Sequence, residues 1–187
     1  ICTDGGIYRW DEGNVTVSSD ARNFEKAAQS ALATGKKEEL CHACSLYYGE
    51  FLSQMTGEKW VNVIGVKYQE MYFKCLRLAS RLLKADREYD RLLNLSTAAS
   101  RLYPYEECQM MKLDCLIALK RYQEAMEVYK QVVVQYFEEQ GLPPSETMLQ
   151  RFRLMSGQIR YTSDMLKDIE NTLKEREETQ GPYYSTY

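Results

Sequence analysis

Cys41-His42-Ala43-Cys44 is the stretch whose residue types could do chemistry, since two thiols and an imidazole within four residues are half of a zinc site. The other half is missing from the sequence, which has no second Cys-x-x-Cys and no other histidine, so no metal ligands are assigned. His42 as a base would need a nucleophile beside it, and without a serine or cysteine constellation it reads as a helix-surface or half-buried histidine. No glycine-rich phosphate loop is present either. The sequence therefore assigns no catalytic, cofactor-binding or metal residue, and an enzyme is the least supported class.

A second concentration of chemistry is cationic. Arg77, Arg81 and Lys84 fall on one face of a long helical pattern, and Arg87 and Arg91 follow on the next, forming a basic strip across a turn. The simple reading is a solvated helix face. The sharper one is a contact surface for acidic partner segments or for DNA phosphate. The tyrosines are numerous enough to suggest a stacking surface, yet Tyr68, Tyr72, Tyr122, Tyr129 and Tyr136 all lie on apolar stripes and read as packing.

Composition narrows the class. The 187 residues, 44% hydrophobic and 27% charged, suit an ordinary soluble domain with short extensions. A net charge of -3 argues against a general nucleic-acid binder, although a local basic patch is compatible with it. No apolar run approaches the ~18 residues that would span a bilayer, and no signal peptide is visible. Five of the six cysteines lie in helical apolar patterns and read as small buried hydrophobes in a reducing cytoplasm. Ile1 in place of Met suggests a piece of a longer chain.

The elements that would position these residues are helices. Arg121 to Glu139 carries the clearest stripe, with Tyr122, Ala125, Met126, Tyr129, Val132, Val133, Tyr136 and Phe137 at helical spacing. Upstream, a helix capped by Ser19 or Asp20 ends at Gly35, a second covers Lys37 to Phe51, and a long third runs from Glu58 or Lys59 to Lys84. The third has a stripe through Val61, Ile64, Tyr68, Tyr72, Cys75 and Ala79. A fourth spans Arg87 to Leu102, and a fifth, Tyr105 to Leu119, is apolar on two sides and should be sandwiched. Ser145 caps a seventh to Ser156, and Ser163 an eighth, charged one to Glu178. Residues 1–17 read as a β-hairpin with its turn at Asp11-Glu12-Gly13-Asn14.

One pattern occurs twice. Placing Tyr89 over Tyr122 sets Leu83 over Leu116, Ala85 over Ala118, Leu92 over Ala125 and Leu95 over Val128. The offset is close to the ~34-residue period of a tetratricopeptide helix pair. The expected fold is all-α, a tetratricopeptide-like stack of antiparallel helix pairs with a short N-terminal β-hairpin.

Several segments, in this order, resemble the bacterial transcriptional activator domain, the tetratricopeptide-like effector module of the antibiotic regulatory protein family of activators. Leu46-Tyr47-Tyr48-Gly49-Glu50-Phe51-Leu52 is similar to its second-helix motif, and Trp60 stands where a Trp opens its long third helix. Tyr122-Gln123-Glu124-Ala125 resembles the repeat signature, and Gly141-Leu142-Pro143-Pro144-Ser145 the segment before the last helix. Lys120, where the repeat turn often has Gly, and Gln140, where an apolar residue is usual, depart from the pattern. The resemblance implies a domain over 18–160, a preceding hairpin (1–17) trailing a winged-helix DNA-binding domain absent from this chain, and a charged connector (161–187). It implies a non-catalytic effector domain of a cytoplasmic bacterial regulator that contacts RNA polymerase, another regulator or itself, with DNA bound by the upstream domain. A small-ligand sensor with a pocket in the stack, or a generic scaffold, are the competing readings.

Overall fold

Ser19 starts the first helix: its backbone is extended and its hydroxyl oxygen accepts from the Arg22 amide at 3.2 Å. The helix, α1 (Asp20–Thr34), ends where Gly35 takes φ 66° and donates its N–H to the Ala31 carbonyl. The computed structural model describes residues 2–4, 7–9, 18–55, 57–141, 143, 145–157, 171 and 174. Six more helices follow: α2 (Lys37–Ser45), α3 (Lys59–Ala85), α4 (Tyr89–Leu102), α5 (Glu106–Ala118), α6 (Tyr122–Gln140) and α7 (Glu146–Ser156). Before them the strands β1 (Cys2–Asp4) and β2 (Ile7–Arg9) pair antiparallel, with Cys2 opposite Arg9. Of the expected ribbon, Ile7–Arg9 pairs instead with Cys2–Asp4; its turn at 11–14, its second strand and nearly all of the expected eighth helix lie outside the described residues.

Two compact units divide the chain, Ile1–Glu88 and Tyr89–Tyr187. In the first, α1, α2 and α3 pack in all three pairings. The two-residue link between α1 and α2 makes them an antiparallel pair. Phe24 and Ala28 of α1, Leu40 and Ala43 of α2, and Tyr72 and Cys75 of α3 are at most 2% exposed. Burying a side chain the size of Phe24 or Leu40 contributes about 1.5–3 kcal/mol.

Two expectations for this unit are corrected. α2 stops at Ser45 rather than Phe51. The Leu46 and Tyr47 amides turn back onto the Ala43 and Cys44 carbonyls, and Gly49 takes φ 146°, a conformation open to glycine. Tyr47 thereby leaves the helix path and stacks on Tyr72, with ring centroids 4.4 Å apart. Burial of that aromatic ring competes with helix continuation and wins. α3 also buries more than one stripe. In its C-terminal half Phe73, Leu76, Ser80 and Leu83 form a second buried row, with the Ser80 hydroxyl donating to the Leu76 carbonyl at 2.7 Å.

In the second unit α5 packs on α4, α6 and α7, so the helix that is apolar on two sides is sandwiched as expected. Cys108, Leu113 and Cys115 are fully buried, and Met110 and Met111 nearly so. Of the stripe read from the sequence, α6 buries Ala125, Met126, Tyr129, Val132 and Val133 and half-buries Tyr122, while the Tyr136 and Phe137 side chains lie outside the described residues. Ser145 caps α7 by accepting from the Met148 amide at 3.3 Å. Arg151 ties α7 to α5 through a two-pronged bond to Asp114, at 2.8 and 3.2 Å.

The internal repeat is visible in the backbone. After α3 the Glu88 amide donates to the Leu83 carbonyl at 2.9 Å, and after α5 the Arg121 amide donates to the Leu116 carbonyl at 2.8 Å. The Arg87 amide to the Lys84 carbonyl and the Lys120 amide to the Ile117 carbonyl are the accompanying bonds, so both helices end in the same Schellman-type closure. The aligned Leu83, Leu116, Leu92 and Ala125 are all buried. The packed elements are helical throughout, a succession of helix pairs consistent with a tetratricopeptide-like stack.

Candidate functional site

The cysteine–histidine cluster does not assemble into a site. His42 is exposed, Cys41 half-buried and Cys44 buried. Among the described residues no group of three His, Cys, Asp or Glu side chains could hold a metal ion. Burial pushes the Cys44 thiol up, and the Cys75 thiol to about 11, so both stay protonated and poorly nucleophilic.

The basic strip is exposed along its length, but its members belong to three settings. Arg77, Arg81 and Lys84 share one face of α3, Arg87 stands in the closing turn, and Arg91 is on α4 in the second unit. The Arg77 guanidinium lies over the Phe73 ring, 5.6 Å from its centroid, so its stem also packs. In the closing turn, Asp86 and Glu88 both bind the Lys37 ammonium of α2. Asp86 first and Glu88 second hold that ammonium's pKa above its ordinary value. Arg87 thus sits in sequence between two residues whose carboxylates are already engaged by Lys37.

Sequence reasoning missed an apolar surface. Trp60 is 50% exposed, Val63 71% and Val66 54%, all on the N-terminal half of α3. Tyr48, Leu52 and Met55, in the loop before it, are exposed as well. The signal was present: Val63 and Val66 fall off the buried stripe through Val61, Tyr68 and Tyr72, on the side that also carries Arg77, Arg81 and Lys84. One outward face of α3 thus runs from aliphatic, past the exposed Glu70–Lys74 pair, to basic.

Behind this loop the rings form a connected series. Phe24 lies 4.9 Å from Tyr47 and 6.0 Å from Tyr68, Phe51 lies 5.4 Å from Tyr68, and Trp60 lies 6.3 Å from Phe51. The Tyr68 hydroxyl donates to Glu25 at 3.3 Å, and the Lys67 ammonium binds the other oxygen of that carboxylate. Lys67 holds the Glu25 carboxyl below the usual range, whereas burial raises the Tyr68 phenol. An open cavity of about 270 Å³ is cut into this cluster, walled on one side by the loop Leu46–Ser53 and on the other by the start of α1.

Among the described residues no helix is long and apolar enough to cross a membrane. A family model described as the bacterial transcriptional activator domain matches residues 19–154. Neither the curated proteins nor the solved structures gave a match.

Proposed function

The chain belongs to the bacterial transcriptional activator domain family, and from that premise we propose that it is a non-catalytic effector module whose contact element is the outward face of α3. The observation that carries this reading is that exposed Val63 and Val66 share one helix face with exposed Arg77, Arg81 and Lys84, the exposed Glu70–Lys74 pair lying between the two groups. An exposed apolar patch with a charged extension fits a partner segment that is itself apolar at one end and acidic at the other. RNA polymerase, another regulator and a second copy of this chain are the partner classes that this chemistry admits. DNA would be bound by an upstream domain, and the setting would be the cytoplasm. Arg87 would extend the basic part of the contact.

The test uses the natural chain extended upstream of Ile1, with promoter binding and transcription measured separately. Val63→Glu with Val66→Glu, and Arg77→Glu with Arg81→Glu, should leave DNA binding intact and abolish activation. These positions are exposed, so the fold should tolerate the changes. Full activation by both double variants would end the reading. The cavity beside Phe24 favours a second reading, in which the module also senses a small ligand.

A further inference from the structure

The cavity after α2 has a chemistry of its own. Its inner wall is aromatic, from Phe24, Tyr47, Phe51 and Tyr68, and the two formal charges on its lining are the carboxylates of Asp20 and Glu50. No lysine, arginine or histidine lines it among the described residues. Lys67, whose ammonium lies 5.8 Å from the Tyr68 ring centroid, is committed to Glu25, and Arg22 acts electrostatically on Glu25 and Tyr68 from α1.

The ring geometry is that of a corner. Tyr68 stands at 89° to Phe24 and at 83° to Phe51, so rings meet edge to face instead of stacking shut. The Tyr68 hydroxyl is anchored on Glu25, which fixes the ring between its two neighbours. Ring faces attract cations through their negative quadrupole, and the attraction grows as water is removed.

The start of α1 also borders the cavity, and a helix N-terminus favours anions through its free amides. Here the Ala21 amide donates to Asp20 Oδ1 at 2.8 Å and the Arg22 amide to Ser19 Oγ at 3.2 Å. Those donors are used, and what α1 presents to the cavity is the Asp20 carboxylate. The opposite wall is held by Gly49 at φ 146° and Leu52 at φ 45°, the latter a conformation that a leucine seldom adopts.

We propose that this cavity binds a small organic cation, an alkyl or quaternary ammonium placed against the part-exposed Phe51 and Tyr68 rings, with Asp20 and Glu50 balancing its charge. At about 270 Å³ the cavity is just below the range of drug-sized pockets, which points to a compact ligand. The proposal is independent of the partner contact on α3, since it rests on different residues.

The test is a titration of the 187-residue chain with choline chloride, followed by amide NMR, beside the neutral isostere in which carbon replaces the quaternary nitrogen. Choline should shift the amides of 20–24 and 46–53 saturably, and the isostere should need about tenfold more, a difference of about 1.4 kcal/mol. Glu50→Gln, at an exposed position, should weaken choline about threefold to tenfold and leave the isostere unchanged. Phe51→Leu should weaken it further. Equal shifts by choline and its isostere, no saturable shift, or unchanged choline binding by folded Glu50→Gln would each overturn the proposal.

Discussion

Arg87 and Lys120 hold the same left-handed backbone, at φ 59° and 58°, in positions that coincide when Tyr89 is laid over Tyr122. Each stands in the turn that closes a helix, where glycine is the usual occupant because it has no Cβ to clash with the carbonyl. Two long cationic side chains therefore occupy strained backbone at the same place in both copies. Strain of this kind persists where the surrounding structure determines it, here the paired closing bonds after α3 and α5.

Lys120→Gly should stabilise the chain by about 0.5–1 kcal/mol, because relief of the left-handed strain, about 1–2 kcal/mol, exceeds the unfolded-state entropy that glycine adds. Urea unfolding reads the difference. A loss of stability would show that the Lys120 side chain makes contacts worth more than the strain. Arg87→Gly should behave alike, while also removing one charge from the basic strip.

Ser145→Ala should cost about 1 kcal/mol and Ser145→Gly only a few tenths, since the hydroxyl caps the Met148 amide and Gly is tolerated at such positions. Ser145 Oγ also donates to Glu106 Oε1 at 2.6 Å, joining the starts of α7 and α5. Thermal denaturation of the two variants checks the order, and equal losses would move the weight from the cap to the Glu106 bond.

Arg151→Lys should destabilise by about 1 kcal/mol although charge is kept, because a lysine cannot reproduce the two-pronged bond to Asp114. The loss should be read as faster proteolysis within 145–157 and as a lower unfolding midpoint. An unchanged midpoint would mean that α7 is held chiefly by its other contacts, among them the fully buried Met148 and Met155.

Glu25 supplies a pH-dependent element. Its folded pKa is lowered by Lys67, so its stabilisation is present above the ordinary value of 4.5 and is lost as pH falls through the lower folded value. Glu25→Gln should therefore be less stable than the parent at neutral pH and equal to it at strongly acid pH. A stability gap independent of pH would show that the pair does not act through charge.

Thiol reactivity should follow burial. In the folded chain at mildly alkaline pH, half-buried Cys41 should be labelled well before Cys44, Cys75, Cys108 and Cys115, and all five should react at similar rates once unfolded. Peptide mapping by mass spectrometry separates them. Early labelling of Cys75, whose thiol burial raises to about 11, would contradict the packing of α3 on α1.

Helix starts and stops were legible wherever a residue with one local role marked them. Ser19, Gly35, Ser145 and Gly141 set boundaries through capping and left-handed geometry, which depend on the chain within a few residues. The end of α2 was not legible, because it is decided by Tyr47 reaching Tyr72, a partner 25 residues away. For the same reason the second buried row of α3 escaped: Leu76 and Leu83 read as part of a broad apolar helix until their neighbours are known. The exposed Trp60, Val63 and Val66 are the converse case. Periodicity identifies an apolar residue but not whether anything covers it. The cavity was illegible because its walls come from α1, the loop after α2 and α3 together.

The ring series ending at Trp60 has an optical consequence. Tyr47, Tyr68 and Tyr72 lie in one aromatic cluster with an indole at its exposed end, so light absorbed by those phenols can be re-emitted by the indole through energy transfer. The chain has two tryptophans, and with Trp10→Phe the remaining emission belongs to Trp60. Its colour then reports how much water reaches the start of α3, and its sensitised intensity reports whether the rings behind it keep their spacing.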